Sequence, residues 1–349
     1  MTDAASARAV RSEDAFDAEA LAHWLGQHGI DGIPEVTQFP GGASNLTYLL
    51  RYDDQQLVLR RPPAGHKAKS AHDMHREYRI QTQLRPLFPY VPETLAFCAD
   101  PSVIGTEFYV MQRLHGTILR AKLPSGFDLS PEEAGTLCHR MVDVLVELHQ
   151  VDPAAADLVD LGRGPGYVRR QVEGWCDRYT RARTFNVPKM TRVMDWLKAN
   201  QPDDVGSCVI HNDFRFDNLV LSGGRSPSIV GVLDWEMATI GDPLMDLGSA
   251  LAYWVQADDD PVMRHFRRQP THLPGMLTRR QVVDAYCGRM GLSSDDWAFY
   301  EVFGLFRLAV IVQQIYYRYH RKQTTNPAFK RFWVMVNYLG WRCRRMIAA

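Results

Sequence analysis

The spacing of apolar residues divides the chain into a first part with strand-like patterns and a longer part with helical ones. Before residue 112, short apolar runs alternate with polar segments such as PGGASN and DDQQ, which is typical of antiparallel strands joined by turns. Five strands are predicted there, at 35–39, 46–52, 57–60, 95–98 and 107–111. After Ser130 the spacing is mainly that of amphipathic helices. The sequence therefore predicts an α+β fold, with a small antiparallel sheet followed by a larger, mainly helical part.

Helix signals support the same division. Apolar residues at helical spacing predict one helix that ends near Gly29 and another at 70–84. The sequence SPEE at 130–133 has the pattern of a capping box with proline at the first helical position. Strand-like runs return only at 207–211, 219–222 and 229–234. We expect two lobes, residues 1–112 and 113–349.

The composition is that of a globular protein, with 46% hydrophobic and 23% charged residues. Forty Lys and Arg balance forty Asp and Glu, so no overall charge points to nucleic acid or to a membrane surface. The six cysteines are scattered without a C-x-x-C pair, which argues against a structural zinc site and a disulfide framework. The amino-terminal residues show no signal-peptide pattern, and no window approaches the roughly 18 apolar residues of a membrane span. We therefore expect a cytoplasmic protein with no membrane or nucleic-acid partner.

The most informative segment is HNDFRFDN at 211–218, which lies between two apolar strands. It has the pattern H-x-D-x-x-x-x-N. A loop aspartate, here Asp213, can accept the proton of an incoming hydroxyl, and an amide five residues later, here Asn218, can bind a metal ion beside it. An isolated H-x-D pair is more often a structural hydrogen bond, so this interpretation depends on further residues.

A second metal-binding carboxylate is expected on a nearby strand. Asp234 ends the apolar run GVLD, one hairpin length after Asn218. Magnesium prefers hard oxygen ligands and usually takes one or two carboxylates besides phosphates and water. Asn218 and Asp234 are therefore the predicted Mg²⁺ ligands, and we expect both to converge with Asp213 in one crevice.

With these motifs in order, the chain resembles the aminoglycoside phosphotransferase-like branch of the protein-kinase-like superfamily, from about residue 33 into the final helices. The resemblance rests on the segment at 211–218, on LDWE at 233–236 and on GDPLMDLG at 241–248. Within that branch, VLRRPP at 58–63 is similar to phosphotransferases found alone or fused to acyl-CoA dehydrogenase modules. The resemblance implies a two-lobed protein-kinase-like fold, with a nucleotide-binding first lobe and a catalytic, substrate-binding second lobe. It also implies ATP and Mg²⁺ as cofactors.

The resemblance also implies a role for each matching residue of the catalytic loop. Asp213 would be the catalytic base, and His211 would brace the loop. Arg215 stands where protein kinases often have a lysine, and it would stabilise charge on the transferring phosphoryl group. Asp246 would anchor the loop by accepting backbone hydrogen bonds. Two further carboxylates, Glu236 and Asp242, would support the metal geometry.

Two segments of the first lobe are expected to contact the nucleotide through the backbone. A turn between strands carries glycines that let N–H groups approach phosphates, and its candidate residues are Gly41, Gly42, Ser44 and Asn45. Taken alone, this turn is more often a plain hairpin. After the strand FYVM, the hinge residues Gln112 and Leu114 would present backbone groups to the adenine edge.

A basic residue and a carboxylate complete the nucleotide half of the pattern. Arg60 occupies the place of the phosphate-binding lysine of kinases, which keeps the charge but changes the bulk and geometry. The neighbouring Arg61 could be the working residue instead. Glu77, on the predicted helix at 70–84, is the expected partner of this arginine. The sequence thus predicts a contact between Arg60 and Glu77.

The carboxy-terminal residues bear on the acceptor. Residues 302–349 contain nine Lys or Arg and no Asp or Glu, whereas kinases of polycationic aminoglycosides need an acidic acceptor site. We expect a small-molecule hydroxyl substrate that is anionic or neutral, with a hydroxyl on an acyl thioester of coenzyme A as one candidate. An equally weighted interpretation is that this basic surface is simply solvated.

Several other functions stay open at this level. A nucleotide-binding pseudokinase with a regulatory role is favoured only by the arginine at position 60. A kinase of aminoglycosides or of other small molecules would share the same motifs. A protein kinase would need an A-P-E segment, which does not follow Asp234. A metal-dependent hydrolase could use His211, Asp213 and Asp234, but it would not need Arg60.

Overall fold

The computed structural model describes residues 7–40, 45–63, 73–223 and 227–348. The chain divides into two compact units, neither of which is continuous in sequence. The first unit comprises Met1–Leu119 and Asn218–Ala238, and the second comprises Arg120–Asp217 and Thr239–Ala349. The expected division into two lobes after residue 112 stays a prediction. The first compact unit extends beyond that residue to Leu119, and it also takes a segment from the later part of the chain.

A five-stranded antiparallel sheet forms the centre of the first unit. Its order is β1-β2-β3-β5-β4, so that the last two strands are exchanged relative to the sequence. The strands are β1 (Glu35–Gln38), β2 (Leu46–Arg51), β3 (Gln56–Arg61), β4 (Thr94–Cys98) and β5 (Phe108–Gln112). The five strands predicted from the alternating pattern are confirmed, with ends that differ by at most one residue.

Two helices cover opposite faces of this sheet. Helix α1 (Ala18–Gly26) packs Leu21 and Leu25 against one face, among the side chains of Tyr48 and Leu59. Helix α2 (Met74–Leu84) packs on the other face, where Met74 joins a cluster with Val58, Tyr109 and Met111. Because successive strand residues point to opposite faces, β3 contributes to both cores.

Helix α2 begins later than the sequence pattern suggested. The prediction placed its start at residue 70, but the helix starts at Met74. The carboxylate of Asp73 accepts a hydrogen bond from the backbone N–H of Arg76 at 2.9 Å and so caps the first turn. Residues 70–72 lie outside the described part of the chain.

A hairpin from the later part of the chain completes the first unit. It consists of β7 (Leu219–Leu221) and β8 (Ile229–Val232), and it is fixed by hydrogen bonds from Val232 to Tyr90 and between Thr117 and Leu221. Gly231 lies against Leu114, since a Cβ there would be 2.1 Å from Cδ1 of Leu114 and that side chain would have to move. The hairpin thus packs directly against the segment that follows β5.

The second unit is mainly helical. Its only paired strands within the described residues are β6 (Cys208–Ile210) and β9 (Thr239–Gly241). The sequence analysis did not predict β9, which is only three residues long. The helices are α3 (Pro131–His149), α4 (Tyr167–Ala182), α5 (Thr191–Ala199), α6 (Pro243–Leu251), α7 (Pro261–His265), α8 (Arg279–Met290), α9 (Trp297–His320) and α10 (Phe332–Met346). The predicted capping box is confirmed, since Ser130 and Glu133 exchange side-chain and backbone hydrogen bonds at the start of α3.

Helices α6 and α9 cross at very close range through two glycines. A Cβ on Gly304 would lie 2.2 Å from the carbonyl oxygen of Gly248, and a Cβ on Gly248 would lie 2.6 Å from that of Tyr300.

The expectation that no segment has the character of a membrane span is wrong for α9, which is long and apolar enough by length and composition. Of that window, 67% is buried inside the protein, as in a core helix. All six cysteines are unpaired and buried.

Candidate active site

The predicted catalytic loop follows β6 in the second unit and is held by a buried carboxylate. The backbone N–H of His211 donates to Oδ2 of Asp246 at 2.8 Å, and that of Asn212 donates to Oδ1 at 2.7 Å. The predicted anchoring role of Asp246 is confirmed by these contacts. His211 is fully buried, and its Nδ1 lies 3.2 Å from the backbone nitrogen of Asp213. This contact joins the buried side chain of His211 to the backbone of the loop, as expected of a bracing residue.

A buried histidine that the sequence motifs did not indicate, His149, contacts the carboxylate of Asp246. Nε2 of His149, in the last turn of α3, lies 3.1 Å from Oδ2 of Asp246, and its Nδ1 lies 2.6 Å from the hydroxyl of Tyr286. Burial alone would raise the pKa of Asp246, but the hydrogen bond and charge of His149, together with His211, lower it below its usual range. Asp246 thus keeps the negative charge that holds the loop.

Arg307 of α9 also fixes the catalytic loop. Its Nη2 donates to the carbonyl oxygen of Asn212 at 3.0 Å, and its side chain is buried. The interpretation of the basic carboxy-terminal segment as a solvated surface is wrong for Arg307, which is 4% exposed. Arg342 of the same group is paired with Asp259, since its Nη1 lies 3.0 Å from Oδ1 of that carboxylate. The basic tail is therefore not one uniform solvated face.

Asp213 and Arg215 form an ion pair on the loop. Nη2 of Arg215 lies 3.0 Å from Oδ2 of Asp213, and its Nε lies 3.3 Å from Oδ1 of Asp217. The guanidinium carbon stacks 4.3 Å from the ring centroid of Tyr253. Burial raises the pKa of Tyr253, and the charge of Asp213 raises it further. The stacking and the ion pairs together fix the position of Arg215 beside the candidate base.

A cavity of about 250 Å³ opens beside this ion pair, entirely within the second unit. Its polar lining comes from Arg215, Tyr253 and Arg268, and none of the described residues that line it is acidic. The remaining wall is apolar and comes from Ala252, Val255, Met263, Phe266, Leu308, Ile311, Val312, Ile315, Phe332 and Met335. A pocket of this kind suits a ligand with a hydrocarbon portion.

In the first unit, Arg60 contacts two carboxylates at once. Its Nη2 lies 3.3 Å from Oε1 of Glu77 and 3.1 Å from Oδ1 of Asp234. The predicted contact between Arg60 and Glu77 is confirmed. Burial opposes the charge of Arg60, but the neighbouring carboxylates, Glu77 foremost, raise its pKa above the usual range. Glu77 is buried as well, and this burial raises its pKa despite the nearby arginine.

Arg61 lies on the opposite face of the sheet and has a structural role. Its Nε donates to the hydroxyl of Tyr48, its Nη1 donates to the carbonyl oxygen of Ile104, and its Nη2 donates to that of Asp14. Each guanidinium nitrogen therefore has a partner within the α1 side of the core. Of the two candidates left open by the sequence, only Arg60 lies with Glu77 and Asp234.

The two predicted metal ligands lie at the same end of the β7–β8 hairpin. The backbone N–H of Leu233 donates to the carbonyl oxygen of Asn218 at 2.9 Å, and Asp234 follows directly. Asp234 has a left-handed backbone conformation with φ 70°, and its side chain is 33% exposed. Asp213 belongs to the second unit, so the convergence of all three side chains stays a prediction.

The loop after Asp234 is tied to β2 and α2. Asn45, which is predicted to contact the nucleotide through its backbone, donates its side-chain amide to Oε2 of Glu236 at 3.1 Å. Arg76, which the sequence analysis did not single out, donates to the carbonyl oxygens of Glu236 and Ala238. These bonds hold the backbone immediately after Asp234 in one position.

The remaining predicted site residues are Gln112, Leu114, Asp242 and those of the glycine turn. Gln112 ends β5, and its backbone N–H donates to the carbonyl oxygen of Glu93 at 2.7 Å, while Leu114 packs against the hairpin. Asp242 is buried and caps α6 by accepting a hydrogen bond from the backbone N–H of Met245 at 2.9 Å, and its expected support of the metal geometry stays a prediction. Three residues of the glycine turn lie outside the described part of the chain, namely Gly41, Gly42 and Ser44.

The residues of the hairpin fit a magnesium ion completed by phosphates. No group of three or more His, Cys, Asp or Glu that could hold a metal occurs among the described residues. Magnesium is commonly bound by one or two protein oxygens together with substrate phosphates and water. The partly exposed carboxylate of Asp234 next to Asn218 meets this requirement, whereas zinc or calcium would need more protein ligands.

Residues 35–282 match the family described as "Phosphotransferase enzyme family". Among curated proteins, acyl-CoA dehydrogenase family member 10 from Mus musculus is 38% identical over 317 residues, covering 89% of this chain and 29% of that protein. The chain therefore spans less than a third of the length of this relative.

Solved structures agree with the family match. A protein of Ralstonia eutropha JMP134 that is designated an aminoglycoside phosphotransferase has 31% identity and a TM-score of 0.79, covering 95% of this chain and 99% of that chain. The aminoglycoside phosphotransferase APH(4)-Ia, solved in ternary complex with AMP-PNP and hygromycin B, has 13% identity and a TM-score of 0.57, covering 95% of this chain and 97% of that chain. The second likeness shows the fold alone.

Proposed function

The chain belongs to the phosphotransferase enzyme family, and from this premise we propose that it transfers the γ-phosphoryl group of ATP to a hydroxyl of a small molecule in the cytoplasm, with Mg²⁺ as the metal. The observation that carries the proposal is the position of Arg60, which contacts both Glu77 and Asp234 within one compact unit. Kinases pair a basic residue, usually a lysine, with a helix carboxylate beside the nucleotide phosphates, and the pair of Arg60 with Glu77 corresponds to it.

The proposal assigns the nucleotide and the metal to groups of the first unit. Asn218 and Asp234 would hold Mg²⁺, and Arg60 would face the phosphates. When bound, the metal offsets phosphate charge during transfer. The complex of APH(4)-Ia with AMP-PNP supports a nucleotide as the donor for this fold. Glu77 keeps Arg60 in place, because it is 1% exposed and has no solvent to replace this partner.

The proposal assigns the acceptor to the second unit. The carboxylate of Asp213 accepts the hydroxyl proton as the hydroxyl oxygen forms its bond to the γ-phosphorus. The bond between that phosphorus and the β,γ-bridging oxygen breaks, and ADP leaves with the electron pair. Arg215 keeps the carboxylate of Asp213 oriented through the 3.0 Å ion pair and offsets charge that develops on the phosphoryl oxygens.

The cavity beside Arg215 supports an acceptor with a hydrocarbon portion. Its wall is mostly apolar, and its charged groups, Arg215 and Arg268, are cationic. Such a lining disfavours polycationic aminoglycosides and favours a neutral or anionic molecule. The relative named as an acyl-CoA dehydrogenase family member supports a hydroxyl on an acyl thioester of coenzyme A as the proposed acceptor.

The test is an acceptor screen read out as ADP release with and without Mg²⁺. The panel contains hydroxyacyl-CoA thioesters, free hydroxy acids, sugars, amino alcohols and aminoglycosides. We expect turnover with a hydroxyacyl thioester, and we expect Asp213→Asn to abolish it while leaving ATP affinity within about twofold. Turnover by Asp213→Asn equal to that of the wild type would remove the proposed role of this carboxylate.

The same screen separates an enzyme from a regulatory pseudokinase. The arginine at position 60 is the feature that favours the second interpretation, because kinases usually have lysine there. A pseudokinase would bind nucleotide without ADP release for any acceptor. Turnover that requires both Asp213 and an added acceptor would exclude it.

A further inference from the structure

Two arginines stack on the same tryptophan in the second unit. The guanidinium carbon of Arg178 lies 4.6 Å from the ring centroid of Trp175, and that of Arg307 lies 5.2 Å from it. Trp175 and Arg178 belong to α4, whereas Arg307 belongs to α9. Two like charges are thus brought together by elements that are far apart in sequence, at an energetic cost that another interaction must offset.

Neither of these cations is neutralised by a carboxylate. Among the described residues, no Asp or Glu oxygen lies within 4.0 Å of the side-chain nitrogens of Arg178 or Arg307. Burial lowers the pKa of Arg178, and the charges of Arg181 and Arg307 lower it further, against a smaller opposing effect of Asp177. Arg307 is only 4% exposed, and a buried guanidinium without a counterion is unfavourable by itself.

The cluster of Trp175, Arg178 and Arg307 is in contact with the catalytic loop. The Nη2 atom of Arg307 donates to the carbonyl oxygen of Asn212, the residue before Asp213. Arg307 and Asp213 both influence the pKa of Tyr253, whose ring stacks on Arg215 and lines the apolar cavity. The unneutralised positive charge therefore lies next to the catalytic loop, within the same unit as the cavity.

We propose that Arg178 and Arg307, stacked on Trp175, form a binding site for an oxyanion of the acceptor, either a carboxylate or a phosphate. Planar guanidinium groups suit both anions because they can donate two parallel hydrogen bonds. The anion supplies the missing counterion and holds the acceptor by its charged end while its hydroxyl faces Asp213. This inference rests on the proposed phosphoryl transfer in one respect, because that proposal identifies the bound oxyanion as part of the acceptor.

The test measures binding to the nucleotide-free protein by isothermal titration calorimetry, with inorganic phosphate, acetate and coenzyme A as probes. Arg178→Gln removes one exposed guanidinium of the site, and Arg192→Gln, on the exposed side of α5, removes an equal charge elsewhere in the unit. Arg307→Lys is a second variant that keeps the buried charge but loses the planar group. Circular dichroism checks that each variant is folded.

We expect Arg178→Gln to weaken binding about tenfold, as the loss of a charge-assisted hydrogen bond does, and Arg192→Gln to leave it unchanged. Arg307→Lys should weaken binding as well. A loss confined to phosphate and coenzyme A identifies a phosphate as the ligand group, and a loss that includes acetate identifies a carboxylate. Equal effects of Arg178→Gln and Arg192→Gln, or no effect of either, would overturn the proposed site.

The two proposals can fail separately. Weaker anion binding in Arg178→Gln together with no phosphorylated acceptor would leave the anion site in place and remove the proposed function. Normal phosphoryl transfer with an unchanged acceptor KM in Arg178→Gln would keep the function and remove the site. With both proposals correct, Arg178→Gln raises the acceptor KM and leaves the nucleotide KM unchanged.

Discussion

Arg60 reaches from β3 to the carboxylate of Asp234, with its Nη2 atom 3.1 Å from Oδ1 of a residue 174 positions later. The contact joins the central sheet to the hairpin that carries both proposed metal ligands. The same Nη2 atom also lies 3.3 Å from Oε1 of Glu77 on α2. Arginine at this position thus links three elements of the first unit.

Removing the charge of Arg60 should strongly destabilise the protein. In Arg60→Met the carboxylate of Glu77, which is 1% exposed, would lose its counterion in the core. Breaking a buried ion pair from one side typically costs about 3–5 kcal/mol. Urea denaturation of Arg60→Met should show a loss of this size. The double variant Arg60→Met with Glu77→Met should recover at least half of it, because the carboxylate that stays without the arginine, Asp234, is 33% exposed to solvent. Arg60→Met as stable as the wild type would contradict the pairing.

Asp234→Asn should weaken ATP binding only when Mg²⁺ is present. Asparagine tolerates the left-handed backbone at φ 70°, so this change tests the charge rather than the fold. Calorimetric titration should show at least a tenfold loss of Mg·ATP affinity and little change for ATP with a chelator. The matched control is Asp54→Asn, in the exposed turn before β3. Equal Mg·ATP affinity in the wild type and Asp234→Asn would take Asp234 out of the metal site.

The burial of Asp242 predicts a pH-dependent stability. Burial raises the pKa of Asp242 from 3.8 to about 6, although backbone N–H groups at the start of α6 oppose the shift. Since the folded pKa lies above the unfolded one, the contribution of this group is full below pH 3.8 and is lost as the pH rises to about 6. The free energy of unfolding of the wild type should therefore fall by up to about 3 kcal/mol relative to Asp242→Asn across that window. Parallel curves for the two proteins would refute the shift.

The close crossing of α6 and α9 predicts opposite effects of two Gly→Ala changes. In Gly304→Ala the new Cβ would meet the carbonyl oxygen of Gly248 at 2.2 Å, and backbone atoms cannot move away as a side chain can. We expect a loss of about 1–3 kcal/mol, as in other overpacked cores. Gly288→Ala in α8 meets nothing within 4 Å and should stabilise the helix by about 0.5–1 kcal/mol. Thermal denaturation should move the two midpoints in opposite directions, and similar shifts would contradict the crossing.

Local sequence patterns predicted much of the fold, because strands, turns and helix caps depend mainly on residues that are close together in the chain. The alternating runs of the first part became the five strands, and the SPEE segment became a capping box. The predicted α+β, protein-kinase-like fold class is confirmed by the sheet, the helices and the solved relatives. The start of α2 was misplaced because its cap, Asp73, lies within the polar run from which the helix was extended. Strand β9 was missed because three residues carry too little periodicity to be recognised.

The candidate site was only partly accessible from the sequence. The spacing of the motifs selected Asp213, Asn218, Asp234 and Glu77, since these types recur at fixed intervals around phosphoryl transfer. It could not choose between Arg60 and Arg61, because both carry the same charge. The strand decided this choice by directing Arg61 toward Tyr48 and Arg60 toward Glu77.

The order of residues along the chain established which chemical groups are available for the reaction: a loop carboxylate, an amide, a second carboxylate and a basic residue, in the order found in kinases. The tertiary structure alone decided which charges are neutralised. Arg307 looked like part of a basic surface, yet α9 buries it against Asn212 and stacks it with Arg178 on Trp175. The reason is physical, because charge compensation depends on distances between residues that are remote in sequence, and only packing sets those distances.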